Sequence, residues 1–198
     1  ANDVYNDESA EVDERNIALM FKRFHEMDVP EMMSSIILQT KGKPWEYYLE
    51  MSRQLWDEAR NAMMGEVWFA KHNIDTTKYP NPVGWCMHLN LDRTPLERHI
   101  VLYAIEQHLM DGKSGKKREW QVAQEANDPL TTYFQDYDWA DEVLHAQIGK
   151  RWLKQEVGDV KTILKKAAEI GNKPSPSWEK RTQSTPQIDW WPQFVKDV

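Results

Sequence analysis

The segment Asp57-Glu58-Ala59-Arg60-Asn61-Ala62-Met63-Met64-Gly65-Glu66-Val67-Trp68 returns 84 residues later as Asp141-Glu142-Val143-Leu144-His145-Ala146-Gln147-Ile148-Gly149-Lys150-Arg151-Trp152. Asp, Glu, Ala, Gly and Trp match at the same five offsets. A repeat of this kind asks for two similar helices in similar surroundings. Residues three apart share a helix face, so Glu142 and His145 can approach one cation together. The first copy carries Asn61 where the histidine would stand. This imperfect repeat predicts a two-fold metal site inside a helical bundle, with one half altered.

Hydrophobic spacing supplies the other helices. Residues 11–39 carry Leu19, Met20, Phe24, Met27, Met33, Ile36 and Ile37 at mixed three- and four-residue spacing. Pro30 is expected to kink this helix and free the carbonyl of Glu26. Lys41-Gly42-Lys43 is a stop, Pro44 suits the first turn of a second helix over 44–71, and so short a loop makes the two helices antiparallel neighbours. Residues 73–94 contain Pro80, Pro82 and Gly84 and read as irregular. Extended, they reach roughly 70 Å, against about 42 Å for a helix of this length, so they can cross the bundle end to end. Thr94-Pro95-Leu96-Glu97 has a cap residue, a first-position proline and an acid three residues after the cap, opening a third helix over 95–111. Residues 113–118 read as a solvated basic loop. Asn127-Asp128-Pro129 opens a fourth helix to about 157, and a short helix over 159–170 follows.

The expected fold is all-α: an antiparallel four-helix bundle over 11–170, with a long crossover between its second and third helices. A loose acidic arm, 1–10, precedes it. A Pro/Trp-rich tail, 171–198, follows and packs on the bundle through Trp178, Trp190 and Trp191. An α-solenoid is the alternative, weakened because the 84-residue period is well beyond that of helical repeats. The net charge of −7 argues against nucleic acid or an anionic membrane as partner. No apolar run approaches the ~20 residues that span a bilayer. The lone cysteine, Cys86, rules out an internal disulfide framework and fits a reducing, cytoplasmic compartment.

Metal-binding bundles of the di-iron carboxylate kind combine a Glu from each of two helices with a Glu-x-x-His from each of the other two. The third helix offers Glu106 inside an apolar run, where a charge needs a partner. The first offers Glu26 or Glu31. Glu26 and Glu58 each lie 16 residues from Gly42, at equal height about that turn, whereas Glu31 lies 11 away. That places Glu31 about 7.5 Å nearer the turn. Glu26 is preferred and Glu31 stays open. Asp57 is placed to orient His145, and Asp141 to do the same for position 61. Gly65 and Gly149 each cost their helix about 1 kcal/mol relative to Ala, which predicts close backbone approach there. The remaining histidines read as non-ligands, and Cys86 has no catalytic partner.

Through Glu26, Asp57-Glu58-x-x-Asn61, Glu106 and Asp141-Glu142-x-x-His145, residues 11–157 resemble the ferritin-like, di-metal carboxylate superfamily, in a bacterial branch distinct from ferritin and rubrerythrin. The resemblance implies a ferritin-like bundle, with Glu58 and Glu142 as bridging ligands and Glu26, Glu106 and His145 as terminal ones. It implies two iron ions, or one if Asn61 abolishes the first position, with manganese as the other choice. The implied activity is an oxidoreductase acting on a small molecule with O2, and a homodimer is one expected assembly. The alternative is a non-catalytic binding or structural bundle with a degenerate or mononuclear site.

Overall fold

A computed structural model of the chain describes residues 2–79, 84–110, 115–184 and 189–198. Every regular element among them is helical: α1 (Asn2–Asn6), α2 (Val12–His25), α3 (Asp28–Gln39), α4 (Trp45–Lys71), a 3-10 turn (Thr76–Lys78), α5 (Gly84–Asp92), α6 (Pro95–Leu109), α7 (Lys116–Glu125), α8 (Pro129–Glu156), α9 (Val160–Gly171), α10 (Pro176–Ser184) and α11 (Trp191–Asp197). None of the described helices is long and apolar enough to cross a membrane.

The two long helices, α4 and α8, carry the repeat and pack on each other. α2 and α3 cover α4, α6 packs on α8 and α3, and α7 lies against α8 and α2. The buried face of α4 changes character along its length. It starts with Tyr47 and Met51, turns polar at Gln54, Asp57, Glu58 and Asn61, and becomes apolar again at Trp68 and Phe69. α8 repeats this sequence with Asp138, Asp141, Glu142 and His145 ahead of Ile148 and Trp152. A charged layer therefore lies between two apolar clusters. One is built on Met32, Met33, Tyr47, Met51 and Trp152, the other on Phe21, Phe24, Trp68 and Phe69.

The repeat is reciprocal in space. Trp68 of α4 donates its indole N–H to Asp128 at the start of α8 (2.6 Å), and Trp152 of α8 donates to Glu50 near the start of α4 (2.6 Å). A Cβ at Gly65 would come within 2.5 Å of the Phe24 backbone nitrogen, the close approach of chains that the glycine predicts. At Gly149 the added carbon would meet the Tyr103 ring at 2.6 Å, so there the glycine makes room for a side chain rather than a backbone.

Thr94 and Glu97 form the expected reciprocal cap on α6. Other sequence expectations need correction. The first bundle segment breaks at Glu26–Met27 into α2 and α3, rather than kinking at Pro30. Pro30 is the third residue of α3, where a missing N–H leaves no bond unmade, and the Glu26 carbonyl accepts from the Val29 N–H (3.0 Å) instead of being freed. The acidic arm is not loose throughout: α1 lays Tyr5 into a pocket of Ala18, Leu19, Val122 and Ala123. The crossover contains α5, whose Cys86 and Leu89 are buried in the core; Pro80 and Pro82 lie outside the described residues. In the tail, Trp190, Trp191 and Phe194 stack around Phe21, and Trp178 meets His88.

Candidate metal centre

The charged layer brings Glu58, Glu106, Glu142 and His145 together. Each places one ligand atom within 4.8 Å of the others, and all four side chains are buried. α4 supplies Glu58, α6 supplies Glu106, and a single face of α8 supplies Glu142 and His145. His145 turns Nδ1 inward, 3.1 Å from Glu58 and 3.3 Å from Glu142. Its Nε2 faces Asp57 at 3.6 Å and makes no hydrogen bond. Metal-bound histidines commonly use their second nitrogen toward a carboxylate in this way. Gln54 donates to Glu106 (3.1 Å) and holds that carboxyl in place.

Protons are shared out unevenly among these groups. Burial and the charge of Glu142 push the Glu106 carboxyl well above the usual range, and Glu58 is raised for the same two reasons. Burial opposes the charge on Glu142 too, but the Lys116 ammonium at 3.0 Å, with hydrogen bonds to Glu106 and His145, holds it well below the usual range. Burial likewise opposes a charged His145, yet its bonds to Glu142 and Glu58 raise it to about 10.

A second group adjoins the first. Glu26, Asp138 and Glu142 also place one oxygen each within 4.8 Å of one another. Here a cation of the chain itself is present: Lys116 Nζ lies 2.7 Å from Asp138, 3.0 Å from Glu142 and 3.8 Å from Glu26. Arg23 grips both oxygens of Asp138 (2.5 and 2.7 Å), pairs with Glu26, and reaches Glu119 and Gln135 at 3.2 Å each. Lys22 bonds Glu26 and Glu119 at 3.0 Å each. Asn61 faces this side, donating its amide N–H to Asp138 (3.1 Å).

Of the five predicted ligands, Glu58, Glu106, Glu142 and His145 form one group, and Glu26 stands in the other among Lys22, Arg23 and Lys116. Glu31 is exposed on α3 and belongs to neither. Asp57 faces His145 as expected, but Asp141 pairs with Arg60 (2.5 Å) rather than with position 61. Sequence reading missed Arg23, Lys116, Glu119, Gln54 and Asp138. Asp138 had a signal, since it precedes Glu142 by one helical turn. Lys116 had a misleading one: it belongs to the basic stretch assigned to solvent, yet it opens α7 fully buried. Lys113 lies outside the described residues. His99, among the histidines read as non-ligands, is buried with an unpartnered Nε2, and burial lowers it to about 4.

Three carboxylates and one imidazole in a dry setting suit a divalent first-row metal ion. A surface groove of about 770 Å³ lined by Val101, Ala104, Ile105 and His108 runs between α6 and α9. By helical phase these residues lie on the far side of α6 from Glu106. No protein-family model matches the chain, and comparison with curated proteins and with solved structures returned no match.

Proposed function

We propose that this chain is a metalloprotein of the ferritin-like, di-metal carboxylate type that keeps one metal position and fills the other with its own lysine. The observation that carries this reading is the Lys116 ammonium, seated among Glu26, Asp138 and Glu142. Buried carboxylates at this density require positive charge. On one side Lys116 and Arg23 deliver it; on the other Glu58, Glu106, Glu142 and His145 would hold a single iron or manganese ion. Such an ion would supply one-electron redox chemistry, and the activity proposed for it is oxygen-dependent oxidation of a small molecule.

The chain's own groups prepare that position. Asp57 faces the outer nitrogen of His145 and favours the tautomer that leaves Nδ1 free to bind. Gln54 fixes Glu106. Glu142 spans both halves, ionised by Lys116 and therefore ready to accept a cation. Metal uptake must displace the protons held by His145 and Glu106, as binding to protonated ligands requires.

One observation favours a second reading, a metal-free structural core: a protonated His145 already satisfies Glu58 and Glu142. Anaerobic addition of Fe(II) or Mn(II), followed by desalting and elemental analysis, separates the readings. About one ion per chain supports the proposal. Two would mean that Lys116 is no substitute for a metal, and none with either ion would leave the structural reading.

A further inference from the structure

Helix α4 is apolar on two opposite faces. Its inner face builds the core and the metal centre. Its outer face exposes Trp45, Leu49, Trp56, Met63 and Val67, which are 74, 58, 55, 40 and 53 % accessible. At 3.6 residues per turn all five fall within about 20° of one line along the helix, directly opposite Tyr47 and Gly65. No other large apolar residue of α4 is exposed. A helix apolar on both sides is the pattern of one buried on both sides, yet solvent meets this one.

The stripe is also symmetric about Trp56. Leu49 and Met63 lie seven residues to either side of it, and Trp45 and Val67 eleven. Turning a second copy of α4 antiparallel about Trp56 therefore sets Trp56 against Trp56, Leu49 against Met63, and Trp45 against Val67. Such self-complementarity is what a two-fold interface requires, because the same patch must serve both partners. Arg53 and Arg60, which border the stripe, are neutralised by Asp57 and Asp141, so the pairing does not bring bare cations together. The ring of Tyr137, half exposed under the Arg60 guanidinium, widens the patch on the α8 side.

The area suits a dimer. Aromatic side chains offer roughly 150–250 Å² each, so the stripe leaves on the order of 500–600 Å² of apolar surface in water. That is at the upper limit of what monomers show and most of the roughly 800 Å² that each partner contributes to a standard interface.

We infer that the chain forms a two-fold homodimer through the outer face of α4, antiparallel and centred on Trp56. The metal centres stay inside each protomer, so this assembly is independent of metal content. Sedimentation equilibrium of the full chain tests it, with and without chelator. The expected mass is that of two chains in both conditions, falling to one chain in Trp56→Glu with an unchanged helical circular-dichroism spectrum. Cysteine cross-linking tests the register. Trp56→Cys should oxidise to a covalent dimer, and Leu49→Cys should link to Met63→Cys when the two variants are mixed. Trp45→Cys alone should not link, since its two copies would stand about 33 Å apart. A monomer at every accessible concentration, a dimer that survives Trp56→Glu, or cross-links in another register would each overturn the inference.

Discussion

On the Asn61 side of the buried layer, Glu26, Glu119 and Asp138 meet Lys22, Arg23 and Lys116. On the His145 side, Glu58, Glu106 and Glu142 meet one imidazole. The two sides hold carboxylates at similar density and share Glu142. They differ in where positive charge comes from. One side draws it from α2 and α7, elements outside the repeat. Apart from the Lys116 contact to Glu142, the other has only an imidazole and protons, and its grouping could hold a cation. A single exchange, histidine for asparagine, marks the difference in sequence, but the physical difference lies in the ammonium and guanidinium that face the asparagine.

Removing the internal cation should have the largest effect. Lys116→Met leaves Asp138 and Glu142 short of a partner in a dry site, and breaking a buried pair this way costs about 3–5 kcal/mol. Urea denaturation in chelator measures it. A loss under about 1 kcal/mol would mean that Arg23 alone neutralises this side, and the contrast between the halves would then rest on one residue rather than a network.

Acid should break the same side by a smaller margin. Burial works against the Glu119 charge, but Lys116, Lys22 and Arg23 outweigh it and hold the carboxyl at about 2. Its folded value lies below its unfolded one. The stabilisation it brings is therefore complete above pH ~4.5 and is lost as pH falls through 2. With a lowering of about two and a half pH units at roughly 1.4 kcal/mol each, the loss is on the order of 3 kcal/mol. The chain should approach the stability of Glu119→Gln as the pH drops toward 2; denaturation profiles that stay parallel down to pH 2 would place Glu119 outside the network.

How far this contrast could be read in advance follows from its parts. Helices α4, α6, α8 and α9 were legible because their signals are local: the Thr94–Glu97 cap, the spacing of apolar turns, the Pro129 start. Glu58, Glu142 and His145 were legible as a group because the repeat sets them on matching helices, and Glu106 because a charge inside an apolar run needs a partner. Lys116 was not, because its meaning depends on a long-range fact. The start of α7 faces Asp138, 22 residues further on, and only that contact turns a basic loop into a buried cation. Asn61 could be seen as an anomaly, but not as a donor to Asp138. Pro30 does not mark the break at Glu26–Met27, because a proline is tolerated in the first turn of a helix.

On the His145 side a smaller change should be felt only when metal is present. Asp57→Ala removes the carboxylate facing Nε2 while leaving all four candidate ligands. Loss of such a supporting carboxylate typically weakens metal affinity 10–100-fold. Competition of Mn(II) against a fluorescent chelator reads this directly. Unchanged affinity would mean that His145 is held by Glu58 and Glu142 alone. The same variant should leave the Asn61 side intact, so its pH profile near 2 should match that of the unaltered chain.

The smallest expected effect is the one that the repeat by itself would make the largest. Asn61→His restores the missing histidine, and if the histidine were all that the first half lacked, a second ion should bind. The Lys116 ammonium lies where that ion would have to sit, 2.7 Å from Asp138 and 3.0 Å from Glu142. A divalent ion cannot enter beside a buried monovalent one without like-charge repulsion at low dielectric. Elemental analysis of Asn61→His should therefore still give about one ion per chain. Only the double variant, Asn61→His with Lys116→Ala, should approach two, since it adds a donor and removes the competing charge together. A second ion in the single variant would show that the ammonium yields its place, and the two halves would then differ in ligands alone.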